Sequence, residues 1–86
     1  MADPEIILYG TSWCPQTARA KMFLDDCGVH FRWCDIEEDP DGCAFVEQVN
    51  HGNRTVPTIV FPDGSILVEP SNTELENKVR PARRRR

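Results

Sequence analysis

Apolar residues come in short blocks separated by polar or turn-forming stretches, and the spacing within each block predicts its element. Glu5 to Tyr9 is too apolar to alternate, as in a strand covered on both faces of a parallel sheet. After the loop Gly10-Thr11-Ser12, Ala20, Phe23, Leu24 and Cys27 recur at spacings of three and four. That period predicts a helix from Cys14 to about Cys27, with Pro15 in its first turn and Gly28 just past its end. Val29 to Ile36 reads as a second strand, and strand, helix and strand within about thirty residues imply a right-handed crossover between parallel neighbours. Asp39 or Asp41 can cap a second helix from about Gly42 to Asn50, with Ala44, Phe45, Val46 and Val49 on its buried side. His51-Gly52-Asn53-Arg54 ends it. Ile59-Val60-Phe61 and Ile66-Leu67-Val68, joined through Pro62-Asp63-Gly64-Ser65, form an antiparallel hairpin. Pro70 closes the last strand, and Ser71 with Glu74 forms a capping box for a helix over Asn72 to Val79, stopped by Pro81. The order βαβαββα predicts an α/β fold, a four-stranded mixed sheet with helices on both faces.

A chain of 86 residues has room for one domain, placed at residues 1–80, with a basic tail at 81–86 expected to be disordered. Hydrophobic residues at 40% and charged residues at 28% are ordinary for a soluble domain, and no apolar run approaches the roughly 18 residues of a membrane span. Met1 to Glu5 is acidic with no apolar signal segment, which points to the cytoplasm. The net charge of −4 combines five carboxylates between Asp35 and Asp41 with the four arginines Arg83 to Arg86. A solvated tail is the simpler reading of those arginines, so neither nucleic acid nor membrane is expected as a partner.

Cysteine usage narrows the chemistry. Cys14, Cys27, Cys34 and Cys43 lie 13, 7 and 9 residues apart, which forms no C-x-x-C pair, and only His30 and His51 could assist in a metal site. No metal is expected. Two disulfides would suit a secreted chain, with three connectivities open, but the N-terminus argues against that setting. Cys27 falls on the apolar helix face, about 20 Å along the helix from Cys14, and reads as a small buried hydrophobe. Cys14 differs. At a helix N-terminus, free N–H groups and the macrodipole favour the thiolate, which is the nucleophile of disulfide exchange.

Trp13-Cys14-Pro15 after the first strand, Thr55-Val56-Pro57 before the third, and the turn, strand and helix reaching Ser71-Asn72 together resemble the glutaredoxin family. The resemblance covers residues 5 to about 79 and implies a thioredoxin-like fold. Asn50 to Pro57 looks most like the mycoredoxin branch, whose members serve mycothiol in place of glutathione. Cys14-Pro15-Gln16-Thr17 departs from the dithiol pattern in carrying Thr17 where a second cysteine would stand.

The resemblance implies Cys14 as catalytic nucleophile, and Trp13, Pro15, Gln16, Arg54, Thr55, Val56, Pro57, Ser71 and Asn72 as the residues around the thiol substrate. It further implies a cis bond before Pro57, with the Val56 backbone pairing with the bound thiol in strand fashion. Arg54 would face a carboxylate or sugar of that thiol. An acidic pair found in glutathione-binding relatives is replaced by Ser71 and Asn72. Each has a plainer reading too: Trp13 as a shield for the loop, Arg54 as a solvated charge, Ser71 as a helix cap.

Without a cysteine at position 17, the expected activity is monothiol reduction of mixed disulfides between proteins and a small thiol, glutathione or mycothiol, which is a co-substrate and not a bound cofactor. The protein would work as a monomer. Cys34 and Cys43, near the carboxyl ends of parallel strands, are possible resolving thiols, although packing explains both equally well. Two rival readings stay open: a [2Fe–2S] cluster shared by two subunits, and a redox-inactive interaction module.

Overall fold

The computed structural model describes residues 5–83. Four strands, β1 (Ile6–Gly10), β2 (Phe31–Asp35), β3 (Thr58–Val60) and β4 (Ile66–Val68), form one sheet in the order β2-β1-β3-β4. Three helices, α1 (Pro15–Asp26), α2 (Pro40–Val49) and α3 (Asn72–Arg83), complete the βαβαββα order expected from the pattern. β1 pairs parallel with β2 and antiparallel with β3, and β3 pairs antiparallel with β4, so the sheet is mixed.

The pleat divides β1 between two layers. Ile6 and Leu8 are buried with Ala20 and Leu24 of α1, Ile59 and Phe61 of the hairpin, and Leu75 and Val79 of α3, which is the hydrophobic core. Phe23 and Cys27 pack against it as the three-and-four spacing anticipates. On the opposite face Tyr9 stacks on Phe45 of α2 with ring centroids 5.0 Å apart. On that face Ile7 and Tyr9 are half-buried.

The helix ends follow local chemistry. Pro15 is the first residue of α1, where its missing N–H is not needed. Gly28 follows the C-cap at φ 71°, a conformation that L side chains rarely adopt. Ser71 and Glu74 make the reciprocal capping box, with the Glu74 N–H donating to Ser71 Oγ at 3.1 Å and the Ser71 N–H to Glu74 Oε1 at 2.9 Å.

Several expectations need correction. α2 begins at Pro40, not Gly42, because Asp39 is the cap, its Oδ1 accepting from the N–H groups of Asp41 and Gly42 at 3.1 Å each. Within α2 Ala44 is exposed, against the expectation, while Gly42 and Val46 are buried. β2 begins at Phe31, two residues after the expected Val29. α3 continues past Val79 through Pro81 to Arg83, since a proline's fixed φ is itself helical and what it removes is one N–H bond. Of the basic tail, residues 81–83 therefore belong to a helix, and residues 84–86 lie outside the described residues. No helix among the described residues is long and apolar enough to cross a membrane.

Candidate functional site

The carboxyl end of β1 delivers the chain into Thr11-Ser12-Trp13 and then to Cys14, the N-cap of α1, with extended φ −83° and ψ 120°. Cys14 is half-buried, and its carbonyl accepts from the Ala18 N–H at 3.0 Å. Its thiol is shifted below its ordinary 9.0. Partial burial is the largest single influence and opposes the shift. It is outweighed by the Thr17 N–H, the Thr17 hydroxyl and the Gln16 N–H acting together, while the Glu69 carboxylate pushes mildly upward. These are the unsatisfied donors of a helix start, so the thiolate is stabilised by the groups that the sequence position supplies.

Thr17, where a dithiol motif has its second sulfur, is 1% exposed. Its Oγ1 is one of two buried side-chain oxygens among the described residues without a hydrogen-bond partner, the other being Thr11 Oγ1. The Thr17 hydroxyl thus helps Cys14 as a nearby dipole able to turn toward a thiolate, not as a formed hydrogen bond.

The loop before β3 forms the second wall. The Val56–Pro57 bond is cis, as the resemblance implies. Pro57 is buried, and its carbonyl accepts from the Glu69 N–H at 2.8 Å. Since Glu69 also acts on Cys14 electrostatically, the proline loop and the thiol face a common neighbour. Thr58 Oγ1 donates to the Thr55 carbonyl at 2.8 Å and accepts from Asn50 Nδ2 at 3.2 Å, which ties the loop to the end of α2.

Between the two walls is a cavity of about 200 Å³ lined by Thr11, Trp13, Ile36, Glu37, Cys43, Arg54 and Val56. Trp13 is 68% exposed, and its indole N–H donates to Glu37 Oε2 at 3.0 Å. Arg54 Nε is paired with Glu47 Oε2 at 2.8 Å. The guanidinium is held above its ordinary pKa by that bond first and by the sulfur of Cys43 next.

The structure thus brings Trp13, Arg54 and Val56 together around one cavity, and leaves Pro15 and Gln16 exposed in the first turn beside Cys14. Ser71 and Asn72 begin α3 outside the residues lining that cavity, and the Ser71 hydroxyl is engaged in its cap. The two possible resolving thiols separate. Cys34 Sγ donates to Asp39 Oδ2 at 3.3 Å, and burial followed by that carboxylate raises its pKa to about 11. Gly42 lies so close that an added Cβ would meet Cys34 Sγ at 2.5 Å. Cys43 instead opens on the cavity itself.

Sequence reasoning missed Thr11, Glu37 and Glu47 as parts of this site. Thr11 reads as an ordinary loop residue, and Glu37 as one charge of an acidic run. Its contact with Trp13, 24 residues away, has no local signal.

Comparison with known proteins agrees with this architecture. Residues 6–66 match the family model described as Glutaredoxin. A provisionally named glutaredoxin of Mycobacterium tuberculosis is 40% identical over 79 residues, covering 92% of this chain and 94% of its own. Mycoredoxin 1 of Corynebacterium glutamicum is 32% identical over 74 residues, covering 86% of this chain and 91% of its own. Among solved structures, a glutaredoxin from Archaeoglobus fulgidus superposes with a TM-score of 0.73 at 27% identity, covering 90% of this chain and 87% of that one.

Proposed function

The chain belongs to the glutaredoxin family of thiol–disulfide oxidoreductases, and from that premise we propose that it reduces mixed disulfides between proteins and a low-molecular-weight thiol by a monothiol route with Cys14 as nucleophile. The observation that carries this reading is the placement of Cys14 at the start of α1, its thiol shifted downward, with a buried threonine where an internal resolving sulfur would stand.

In the first step the Cys14 thiolate attacks the small-thiol sulfur of the mixed disulfide. The old S–S bond breaks, a new one forms to Cys14, and the protein thiolate leaves and takes a proton from solvent. In the second step a free small-thiol anion attacks the sulfur attached to Cys14. The small-thiol unit leaves Cys14 as half of a symmetrical small-thiol disulfide and the Cys14 thiolate is regenerated, so one free small thiol is consumed for each protein thiol released. The N–H groups of Gln16 and Thr17 stabilise Cys14 as attacking and as leaving thiolate alike, which favours both steps.

Recognition falls to the cavity and its rim. Trp13 presents an exposed aromatic face, the Val56 backbone flanks the bound thiol's cysteinyl unit, and Arg54 supplies a cation for a carboxylate or sugar hydroxyl. The Gln16 N–H acts on the reacting sulfur and Pro15 follows it in the chain, while Thr55 and Pro57 on the proline loop and Ser71 and Asn72 at the start of α3 are assigned to the remaining surroundings of the thiol. The thiol is glutathione or mycothiol, and the mycoredoxin 1 relative favours the latter. The protein acts as a cytoplasmic monomer with no bound cofactor.

Mass spectrometry of Cys14 after incubation with glutathione disulfide and, separately, mycothiol disulfide tests the scheme. A rapid adduct on Cys14 that the matching free thiol removes supports it. An internal Cys14–Cys34 or Cys14–Cys43 disulfide as the stable product overturns the monothiol route.

A further inference from the structure

Three cysteines remain outside the proposed chemistry, and their surroundings differ. Cys27 is the C-cap of α1 and packs against the hydrophobic core. Cys34 borders a cavity of about 470 Å³ whose walls include Asp35, Glu38, Asp39 and Asp41, and burial, followed by the Asp39 carboxylate, raises its pKa to about 11.

Cys43 is placed otherwise. It lines the 200 Å³ cavity together with Trp13, Arg54 and Val56, and also a neighbouring hollow of about 460 Å³ that shares Ile36, Glu37, Cys43 and Arg54. Its thiol donates to Glu47 Oε2 at 3.9 Å, the long end of a sulfur hydrogen bond, and that carboxylate is already bound to Arg54 at 2.8 Å. A second observation points to a ligand in the same place. Thr11, 5% exposed, lines the smaller cavity, and its Oγ1 has no hydrogen-bond partner among the described residues. A buried hydroxyl left unpaired is costly, and a polar ligand in the cavity would relieve it.

We propose that Cys43 is a second attachment point for a low-molecular-weight thiol, and that its adduct fills the cavity beside Cys14 and closes the catalytic groove to substrate. The inference rests on the reading that this groove receives a small thiol. The reaction is disulfide exchange: the Cys43 thiolate attacks one sulfur of a symmetrical small-thiol disulfide, one S–S bond forms as the other breaks, and the expelled thiolate takes up the proton that Cys43 gave to solvent. No further oxidant is required. The adduct makes the groove sensitive to the ratio of disulfide to free thiol, since excess free thiol reverses it.

The test uses the full chain with Cys14→Ser, which removes the catalytic sulfur and keeps the result independent of Cys14 chemistry. A further Trp33→Phe change leaves Trp13 as the sole indole. After incubation with glutathione disulfide and, in a parallel arm, mycothiol disulfide, peptide mapping is expected to find one adduct, on Cys43, in at least one arm. Trp13 emission is expected to shift with the same time course and return on adding the free thiol. An adduct on Cys27 or Cys34 in preference to Cys43, or none in either arm, overturns the assignment. An adduct on Cys43 that leaves Trp13 emission unchanged overturns the claim that it fills the cavity. Failure of Cys14 to form its own adduct in the wild-type chain would instead count against the proposed function alone.

Discussion

Thr17 packs directly against Gly10: a methyl group added at Gly10 would stand 2.5 Å from Thr17 Cγ2 and 2.7 Å from Oγ1. The end of the central strand and the first turn of α1 therefore meet with no side chain between them, and this contact sets the height at which Cys14 emerges. Gly10→Ala is expected to lower stability by about 1–3 kcal/mol through overpacking. Urea denaturation measures the loss, and iodoacetamide labelling of Cys14 in the folded variant is expected to slow as its helix start is displaced.

Thr17→Val separates stability from reactivity. Replacing a buried hydroxyl that has no partner by a methyl group removes a desolvation cost of about 1–3 kcal/mol, so the variant is expected to unfold at higher urea concentration. It also removes one of the dipoles that favour the Cys14 thiolate, so alkylation at neutral pH is expected to fall. A variant that is both more stable and equally reactive would show that the hydroxyl has no part in ionising Cys14. Thr17→Cys is expected to restore an internal disulfide with Cys14, read as the loss of two titratable thiols on oxidation.

Alkylation against pH distinguishes Cys14 from Cys34. The Cys14 pKa is lowered in the folded protein, so its thiolate persists as pH falls below 9.0, and the labelling midpoint is expected below that value. The linked stability is present above the unfolded pKa and is lost as pH falls through the folded one. Cys34 runs the other way. Its pKa is raised to about 11, so it is expected to stay unlabelled through pH 9 and react only near pH 11, and the stability linked to its protonated form is lost between those values. Asp39→Asn is expected to bring the Cys34 midpoint down.

Arg54 and Glu47 form an exposed pair, and such pairs contribute little to stability. Arg54→Ala is therefore expected to leave the melting temperature unchanged while raising KM for the small-thiol disulfide, with kcat less affected. Unchanged KM would assign Arg54 to the solvated surface.

Ser71→Ala is expected to cost about 1 kcal/mol, the usual loss for a helix N-cap. If Ser71 serves only as the cap, Ser71→Asp, which can cap equally well, restores stability and leaves KM for the small thiol unchanged. A change in KM alone would make Ser71 a ligand contact.

Much of the fold was legible because its signals are local. The three-and-four spacing of Ala20, Phe23, Leu24 and Cys27, the Asp-Gly turn and the Ser71–Glu74 box each depend on residues within a few positions of one another. The start of α2 was misplaced because two aspartates competed for one cap, and only coordinates show that Asp39 takes both N–H groups. Ala44 was expected on the buried side and is exposed, the buried side being carried by Gly42 and Val46. Pro81 was read as a stop, although its φ suits a helix and only one N–H is lost. At the site, the position of Cys14 followed from strand, loop and Pro15. The divergence of Cys34 and Cys43 did not, since it depends on whether an aspartate or a cavity lies beside each sulfur.

The strand order assigns the two halves of the site to foundations of different strength. The nucleophile hangs from β1 and the proline loop leads into β3, both with a paired neighbour on each side, but the loop is also fastened through the Glu69 N–H to the end of β4, an outer strand of three residues. Fraying begins at such margins. A transient opening of the outer ribbon therefore releases the grip on a docked molecule while leaving the reactive sulfur in place, so amide exchange at Glu69 should outpace that of Leu8 and follow product escape rather than bond making.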